Sequence, residues 1–565
     1  MNLIHQKLQE ISTLVSLTTA EVGYTTVFPS PADLKSAYDF IIVGGVITGC
    51  LIAKRLSDAG HSTLLIHGPG SLPNELTRVP LLNLGLHGNP DHDHLYKSPR
   101  LNSRWLNQTL TYNSGKDLGG SQVLSAQMWS YGKSGDFTCW KEEFGISEKF
   151  SNENIRAAGK IHEKASAGVE GVDSPYGESG EIDLSLSPTW APYQQTFADR
   201  FEAAAASLTQ TRVNKDQNSD ALGFGRIIHA VEADTGYIST PVRAFFENRP
   251  LSDNLHIVTR HMVRKILFDM STSPPRATGV EFVQAEDREG SVVFFKKATK
   301  RIILTAGAIR TPQLLALSGV GSESDLKQWN IEPVVTRNGV GQNLHDHYDI
   351  GNAGVCFPKG TKKYVDFGLT QYFNFGLHRR GQLRAPLGTQ SYGFFKSDQS
   401  NLTTSKHYFS IGISKNNLYQ DFYLQGKSSE GDNFFGTLFK QRECLLFTPT
   451  LLHPEYRGQI TLTSGDPLDD PIVDLKTTSN ARDMKLIGEL WQKVKRIAEE
   501  SFGDIGGEFD GTPFPACVQD LMIADASILP CPTSGHMLPT ISAMAEMAAR
   551  EVIRDFEVQR SRSRS

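Results

Sequence analysis

An apolar strand, a glycine turn, a helix and a second apolar strand follow one another between Tyr38 and Ile66, and this unit constrains the fold more than any other stretch. Tyr38-Asp-Phe-Ile-Ile-Val43 is a short apolar run, the pattern of a parallel strand covered on both faces. Gly44 and Gly45 end it. Cys50-Leu-Ile-Ala-Lys-Arg-Leu56 carries apolar residues at helical spacing, and Gly60 supplies a stop. His61-Ser-Thr-Leu-Leu-Ile66 predicts the second strand. A βαβ unit of about 30 residues is the setting in which a G-x-G-x-x-G turn holds a dinucleotide.

Here the turn reads Gly44-Gly-Val-Ile-Thr-Gly49. The first glycine of such a turn makes the tight bend, the middle one lets backbone approach the pyrophosphate, and the third lets helix and strand pack. Gly44 and Gly49 keep the first and third roles, while Val46 puts a β-branched side chain at the middle one. At the end of the second strand, where an acid normally binds the ribose hydroxyls, stands His67. A neutral imidazole still makes a hydrogen bond but is no charged bidentate acceptor.

The 565 residues argue for more than one domain, and 39% hydrophobic with 21% charged residues is ordinary for a globular enzyme. A net charge of -5 gives no reason to expect a nucleic-acid partner. No apolar run reaches the length of a membrane span, and the first 37 residues lack the basic-then-apolar order of a secretory signal. A cytoplasmic protein with a small-molecule substrate is the expectation; nothing bears on oligomeric state. Cys50, Cys139, Cys356, Cys444, Cys517 and Cys531 form no C-x-x-C pair, so buried or free thiols are expected, with no disulfide framework and no metal site. The basic end RSRSRS reads as a solvated tail.

Several longer stretches carry a resemblance. YDFIIVGGVITGCLIAKRLSDAG resembles the N-terminus of the glucose-methanol-choline (GMC) oxidoreductases, which use FAD. Gly115-Lys-Asp-Leu-Gly-Gly-Ser121, running on through GDFTCW, is similar to the first signature of that family, a Gly-rich loop that packs against the flavin. Thr305-Ala-Gly-Ala-Ile-Arg-Thr-Pro-Gln-Leu-Leu-Ala-Leu-Ser-Gly319 resembles the second. It follows a β run from Arg301 to Leu304, and Pro312 is placed to start the next helix. Gly339-Val-Gly-Gln-Asn-Leu-His-Asp-His347, LLHPEYRGQITLTSGDPLDDPIVD, Asp525-Ala-Ser527 and Ser534-Gly-His536 look like further family segments, in the family's order.

The resemblance implies an α/β fold with an FAD-binding Rossmann-like domain and an antiparallel-sheet substrate domain. The expected division is 38–165, 225–345 and 510–556 for the cofactor domain and 166–224 and 346–509 for the substrate domain. Residues 1–37 would be an extension and 557–565 a disordered tail. A linker is expected within EKASAGVEGVDSPYGESGE, from its Gly, Ser and Pro content. QITLTSGD and KHYFSIGI alternate as strands do, and Asp483 to Phe502 reads as a helix. The implied cofactor contacts are Gly44, Gly45, Gly49, His67, Gly119, Gly120, Ser121, Ser125, Val263, Asp525 and Ala526. The implied catalytic residue is His536.

Four departures stand against that pattern. Val46 and His67 alter the dinucleotide turn; Ser125 stands where the family has an asparagine, whose amide offers two donors; and the family's H-P-x-G-T segment, with its histidine base, has no counterpart between Phe502 and Asp525. A lost exon would account for the missing segment but not for Val46 or His67. Three readings follow. The chain is an FAD-dependent oxidoreductase acting on an alcohol or related small molecule in fungal specialised metabolism, with His536 as the remaining proton acceptor. Or it is a flavin-poor or flavin-free enzyme for a lyase, cyclisation or isomerisation step, with His536, Asp346 and His345 as candidates. Or it is a non-catalytic binding protein. His345 and His347 also fit a turn that caps its own backbone.

Overall fold

The computed structural model describes residues 31–562, leaving out 71, 81, 101–108, 170–175, 187–191, 215, 217, 248, 286–291, 350–352, 358–374, 376–377, 379–380, 385–390, 399–407, 416–442, 478, 506–507 and 511–531. The N-terminal unit forms as its sequence demands: β1 (Ala37–Val43), α1 (Ile47–Asp58) and β2 (Thr63–Ile66). Helix α2 (Ser134–Phe144) follows, and β3 (Leu255–Val258), β4 (His261–Asp269), β5 (Arg276–Gln284) and β6 (Phe294–Leu304) complete a six-stranded sheet ordered β3-β2-β1-β6-β5-β4. The first four strands run parallel and end in register at Val258, Ile66, Val43 and Leu304. β5 returns antiparallel along the start of β6, and β4 pairs antiparallel with β5.

The continuous apolar run of β1 has its reason in this layering. Phe40 and Ile42 join the core formed with α1 and the C-terminal helix, while Ile41 and Val43 join the core on the opposite face with Ile266, Val280 and Phe282. A strand buried on both faces leaves no position for alternating polar residues. Both cores are closed by helices. Against β4 lies α3 (Gly307–Leu317), and α4 (Ala481–Phe502) covers a second sheet. α5 (Met537–Arg562) packs Ile541, Met544, Ala545 and Ala549 toward the Phe40 core.

The second sheet runs 508–510, 353–357, 443–451, 408–415, 391–396, 223–226, 212–213, with 348–349 also paired to 443–451, and is antiparallel except at its last pair. α4 explains its own position: Leu486, Leu490, Val494, Ile497 and Phe502 recur at helical spacing and are all nearly inaccessible, forming one core with Phe201, Phe224, Phe395 and Phe447. Each such side chain contributes roughly 1.5–3 kcal/mol on burial. A five-stranded sheet joins 342–344, 458–461, 472–474, 96–100 and 109–112, so segments distant in sequence interleave here. Among the described residues no helix is long and apolar enough to cross a membrane.

Four expectations need correction. Pro312 lies inside α3 rather than at its start; the helix begins at Gly307, immediately after the strand end. The C-terminal tail is helical through Arg562: Phe556 packs edge-on to Phe40, and the helix-favouring residues beyond it carry the turn onward. The segment expected to be a linker opens on Glu163, which is buried and accepts hydrogen bonds from Trp129 Nε1 (2.9 Å), Tyr131 Oη (2.6 Å) and Gly177 N (3.0 Å). Finally, Cys356 is disulfide-bonded, and Cys444 stands opposite it in the strand register, a pairing that sequence spacing does not reveal. Cys50 and Cys139 are buried free thiols.

Candidate active site

The aligned ends of β1, β2 and β6 make a crevice, the place where ligands lie in parallel sheets. Gly44 turns the chain out of β1 with φ +108°, and a Cβ there would lie 2.2 Å from the Thr305 carbonyl oxygen, so only glycine fits. Thr305 Oγ1 donates to the Gly44 carbonyl (2.7 Å), tying this turn to the end of β6. Gly49 is held by close packing of the same kind, since its Cβ would meet the Gly44 oxygen at 2.0 Å. α1 then begins at Val46 with no side-chain cap. An uncapped helix start at a strand-end crevice presents backbone N–H groups to an anion.

A cleft opens beside this turn, lined by Val43, Gly44, His67, Lys116, Val263 and Arg310, among others. It brings together three of the expected contacts: Gly44, His67 and Val263. Its walls suit a nucleoside half, with apolar side chains from β1, β2, β4 and α3 around a few polar groups. His94, Lys116 and Arg310 were missed by the sequence reading. Lys116 and Arg310 lie within the Gly115–Ser121 and Thr305–Gly319 stretches, but nothing in those stretches shows that the two side chains meet His94 beside the end of β2.

His67 does not stand free in that cleft. Gly45 N–H donates to its Nδ1 (3.1 Å), and its Nε2 donates to the Lys116 carbonyl (2.7 Å). These bonds fix the neutral tautomer, and burial lowers the ring's pKa against the opposing pull of the Lys116 carbonyl. Both nitrogens are thus engaged with the protein itself. Val46 is likewise engaged: it pairs with Gly119 as an isolated bridge, Gly119 N–H donates to the Gly45 carbonyl (2.7 Å), and the Val46 side chain lies over Gly120. The Gly119-Gly120 loop therefore rests on the valine. The nucleoside cleft and the helix start fit a dinucleotide; the passage between turn and loop is narrowed by one isopropyl group.

Ser121 and Ser125 hold this loop together. Ser121 Oγ accepts from Gly115 N (2.9 Å); Ser125 Oγ accepts from Gln127 N (3.1 Å), and the Ser125 carbonyl accepts from Asn83 Nδ2 (2.8 Å). Asp525 and Ala526 lie outside the described residues.

The second centre is a group of histidines between the two main sheets. Gly535 precedes His536 and packs against Tyr131, with a Cβ position 2.1 Å from the Tyr131 carbonyl oxygen. The His536 ring is half-buried and lies 5.4 Å from the Tyr392 ring. Its Nε2 has no hydrogen-bond partner among the described residues. Burial, reinforced by His347 and His229, lowers its pKa to about 3, so the ring is neutral. His347 Nε2 donates to the Thr533 carbonyl (2.9 Å). Asp346 Oδ1 caps His347 N (2.8 Å), and His345 Nδ1 donates to the Asn343 carbonyl (3.0 Å).

A Ser-His-Asp grouping nearby is not a nucleophilic triad. Ser534 Oγ donates to Asp136 Oδ1 (2.7 Å), and His453 Nε2 donates to the same oxygen (2.9 Å). A triad needs the two ring nitrogens on different partners, whereas here one nitrogen faces both Asp136 and, at 3.4 Å, Ser534. Asp136 also accepts from Lys133 N (2.8 Å) and Ser534 N (2.7 Å). It is a clip joining α2, the segment after 443–451 and the start of α5.

Comparison with known proteins agrees with this architecture. The family model described as GMC oxidoreductase matches residues 38–349. The chain is 27% identical to a glucose dehydrogenase [FAD, quinone] of Drosophila pseudoobscura pseudoobscura, over 89% of this chain and 76% of the other. It is 24% identical to versicolorin B synthase of Aspergillus parasiticus, over 92% and 88%. In fold it is similar to a formate oxidase variant of Aspergillus oryzae, with a TM-score of 0.77 and 18% identity over 93% of this chain and 99% of that one. The chain belongs to the GMC oxidoreductase family.

Proposed function

We propose that this chain is an FAD-dependent oxidoreductase that acts on the hydroxyl of a small molecule in fungal specialised metabolism. The observation that carries the reading is His536: a neutral ring with an unpartnered, inaccessible Nε2, set between the two main sheets. Such a nitrogen takes a hydroxyl proton without first having to lose one of its own. In this reading Val43, Gly44, His67 and Val263 would hold the nucleoside of FAD, and the N–H groups at the start of α1 would hold its phosphates. When bound, FAD supplies the electron acceptor. His536 takes the proton, and Tyr392 fixes the ring's position. Similarity to a fungal synthase supports the metabolic setting.

The contact of Val46 with Gly120 and the internal bonds of His67 favour a second reading, an enzyme of this fold that holds FAD poorly and catalyses a non-redox step at the same histidine. Purification of the full chain separates the two. Flavin absorbance that co-purifies with the protein, or is restored by added FAD, supports the first reading. A colourless protein that takes up no FAD overturns it. Replacing His536 by alanine is expected to slow turnover by about 10²–10⁴-fold in either reading.

A further inference from the structure

We propose that Gln127 is a positioning residue: its side-chain amide sets the Gly119-Gly120 loop where that loop meets a bound dinucleotide. For the identity of that ligand the proposal rests on the FAD reading given above. Gln127 is 0% exposed and holds φ at +61°. The left-handed region is unfavourable for a residue with a Cβ, and apart from glycine it is mostly asparagine and aspartate that enter it. A glutamine kept there is held by its surroundings, a condition that gathers at ligand sites. Its partners explain it. Gln127 Nε2 donates to the Gln122 carbonyl and to the Ser125 carbonyl (3.0 Å). Both acceptors lie in the turn formed by the short helix Gly120–Leu124 and Ser125, which opens on the left-handed Gly119 of the loop itself. Ser125 brings no amide to this turn, and the two N–H groups of Gln127 serve it instead.

The brace stands on fixed ground. The Gln127 carbonyl accepts from Ala230 N (2.8 Å), and the Gln127 N–H donates to Ser125 Oγ (3.1 Å). Beside it, Gln122 Nε2 donates to the Ser239 carbonyl (3.1 Å). Two buried amides therefore tie the helix that carries Gly120 to residues 230 and 239. The loop's own contacts leave it little room. A Cβ on Gly119 would lie 3.3 Å from Pro241 Cδ, and one on Gly120 would lie 2.6 Å from Val46 Cγ1. The loop is thus one wall of the passage beside the dinucleotide turn, and a shift at Gln122 or Ser125 moves that wall. Removing the Gln127 amide strands neither carbonyl. Ser125 still accepts from Asn83 Nδ2 (2.8 Å), and Gln122 still accepts from Ser125 N (3.3 Å). The expected effect is a loosened loop in a folded chain.

The test uses the full chain as purified. Gln127→Met removes the amide at nearly constant length. Gln127→Gly removes the amide and the backbone strain together, so it reports even where the methionine variant folds poorly. Backbone hydrogen exchange is measured first. The Gly119 N–H, which donates to the Gly45 carbonyl, should exchange about tenfold faster or more in both variants, with β1 and β2 changed less than about threefold. Gln127→Asn, whose amide is one methylene shorter, should lie between. Titration with FAD and with 5′-AMP follows. AMP needs only the nucleoside cleft, whereas FAD must also meet the loop. Both variants should weaken FAD by about tenfold and leave AMP within about threefold. Unchanged exchange at Gly119 overturns the proposal. Exchange that rises equally in β1 and β2 makes Gln127 a general part of the fold and overturns it too. FAD and AMP affected alike would remove its role toward the cofactor. A wild type that takes up no FAD sinks the oxidoreductase reading, and exchange at Gly119 then decides on its own whether Gln127 sets the loop.

Discussion

Val46 and Gly120 are in contact: the Cβ position on Gly120 lies 2.6 Å from Val46 Cγ1, and Gly120 holds φ at +65°. Glycine is therefore required at 120 by this chain's own valine, whatever ligand is bound. Gly120→Ala should destabilise through the left-handed backbone, about 1–2 kcal/mol, and through overpacking, about 1–3 kcal/mol. Combining it with Val46→Gly removes the overpacking, so the double variant should be more stable than the summed losses by at least about 1 kcal/mol. Thermal or urea unfolding measures this coupling, and strict additivity would mean that the two residues do not press on each other.

Val46→Gly alone tests the narrowed passage. The substitution removes the isopropyl group at the uncapped start of α1, a position where glycine is tolerated. FAD should then bind several-fold more tightly, with a stability loss of about 1 kcal/mol. Titration of both proteins with FAD, followed by flavin fluorescence, measures the difference. Unchanged affinity would show that the side chain lies clear of the path taken by the phosphates.

Asp136 is the most heavily used carboxylate at the junction. It satisfies Lys133 N, Ser534 N, Ser534 Oγ and His453 Nε2 and is itself buried. Asp136→Ala leaves these buried groups without their acceptor and should cost about 3–5 kcal/mol. Ser534→Ala, which removes a single hydroxyl, should cost only about 1 kcal/mol. A catalytic serine would give the opposite ranking in an activity assay: turnover abolished, stability almost unchanged.

Much of the fold was legible because the signals are local and periodic. The apolar run of β1, the helical spacing of α1 and the amphipathic face of α4 all coincide with the observed elements. The site was less legible. Gly44 could be read as a turn glycine, yet its neighbour Thr305 is 261 positions away, and only the fold shows that Thr305 fills the Cβ position. His67 could be identified as an unusual residue at a ribose position, but its bond to the carbonyl of Lys116, 49 positions away, appears only in the fold. Gln127 carried no signal at all, because nothing in the sequence shows a glutamine amide turning back onto the carbonyls of Gln122 and Ser125. The disulfide at Cys356 was invisible for a related reason: its register neighbour Cys444 is distant in sequence, and strand pairing brings the two positions together.

Stability should fall with acidification below neutrality. His162, His229 and His347 are buried, and burial lowers their pKa values to about 3, about 3 and about 4. In the unfolded chain each takes a proton near the ordinary value of about 6.5. Their contribution is therefore fully present above about pH 6.5 and is lost as the pH drops toward the folded values, by up to about 1.4 kcal/mol per pH unit for each ring. Urea midpoints measured between about pH 7.5 and about pH 5 should show a steep decline, and His162→Phe should make it shallower. A flat profile would mean that these rings are not buried in neutral form.

Arg55 on α1 holds two carboxylates from different parts of the chain. Nη1 and Nη2 donate to Glu181 at 2.7 and 3.0 Å, and Nε donates to Glu546 of α5 at 2.9 Å. Glu546 is 1% exposed and also accepts from Arg550 Nε (3.0 Å), so removing Arg55 leaves a buried carboxylate with one of its two arginine partners. Arg55→Met should cost about 3–5 kcal/mol. The loss would come from the stranded carboxylates rather than from any large net gain in the intact pair, because desolvation offsets most of the attraction. Two further variants distinguish these sources. Arg55→Lys keeps the charge but has no planar fork to serve both partners and should recover only part of the stability. The triple change Arg55→Met, Glu181→Leu, Glu546→Leu removes every stranded charge and should recover most of it. If the triple variant is as unstable as Arg55→Met alone, the fork itself, and not the relief of buried charge, fixes the last turn of α1 against α5.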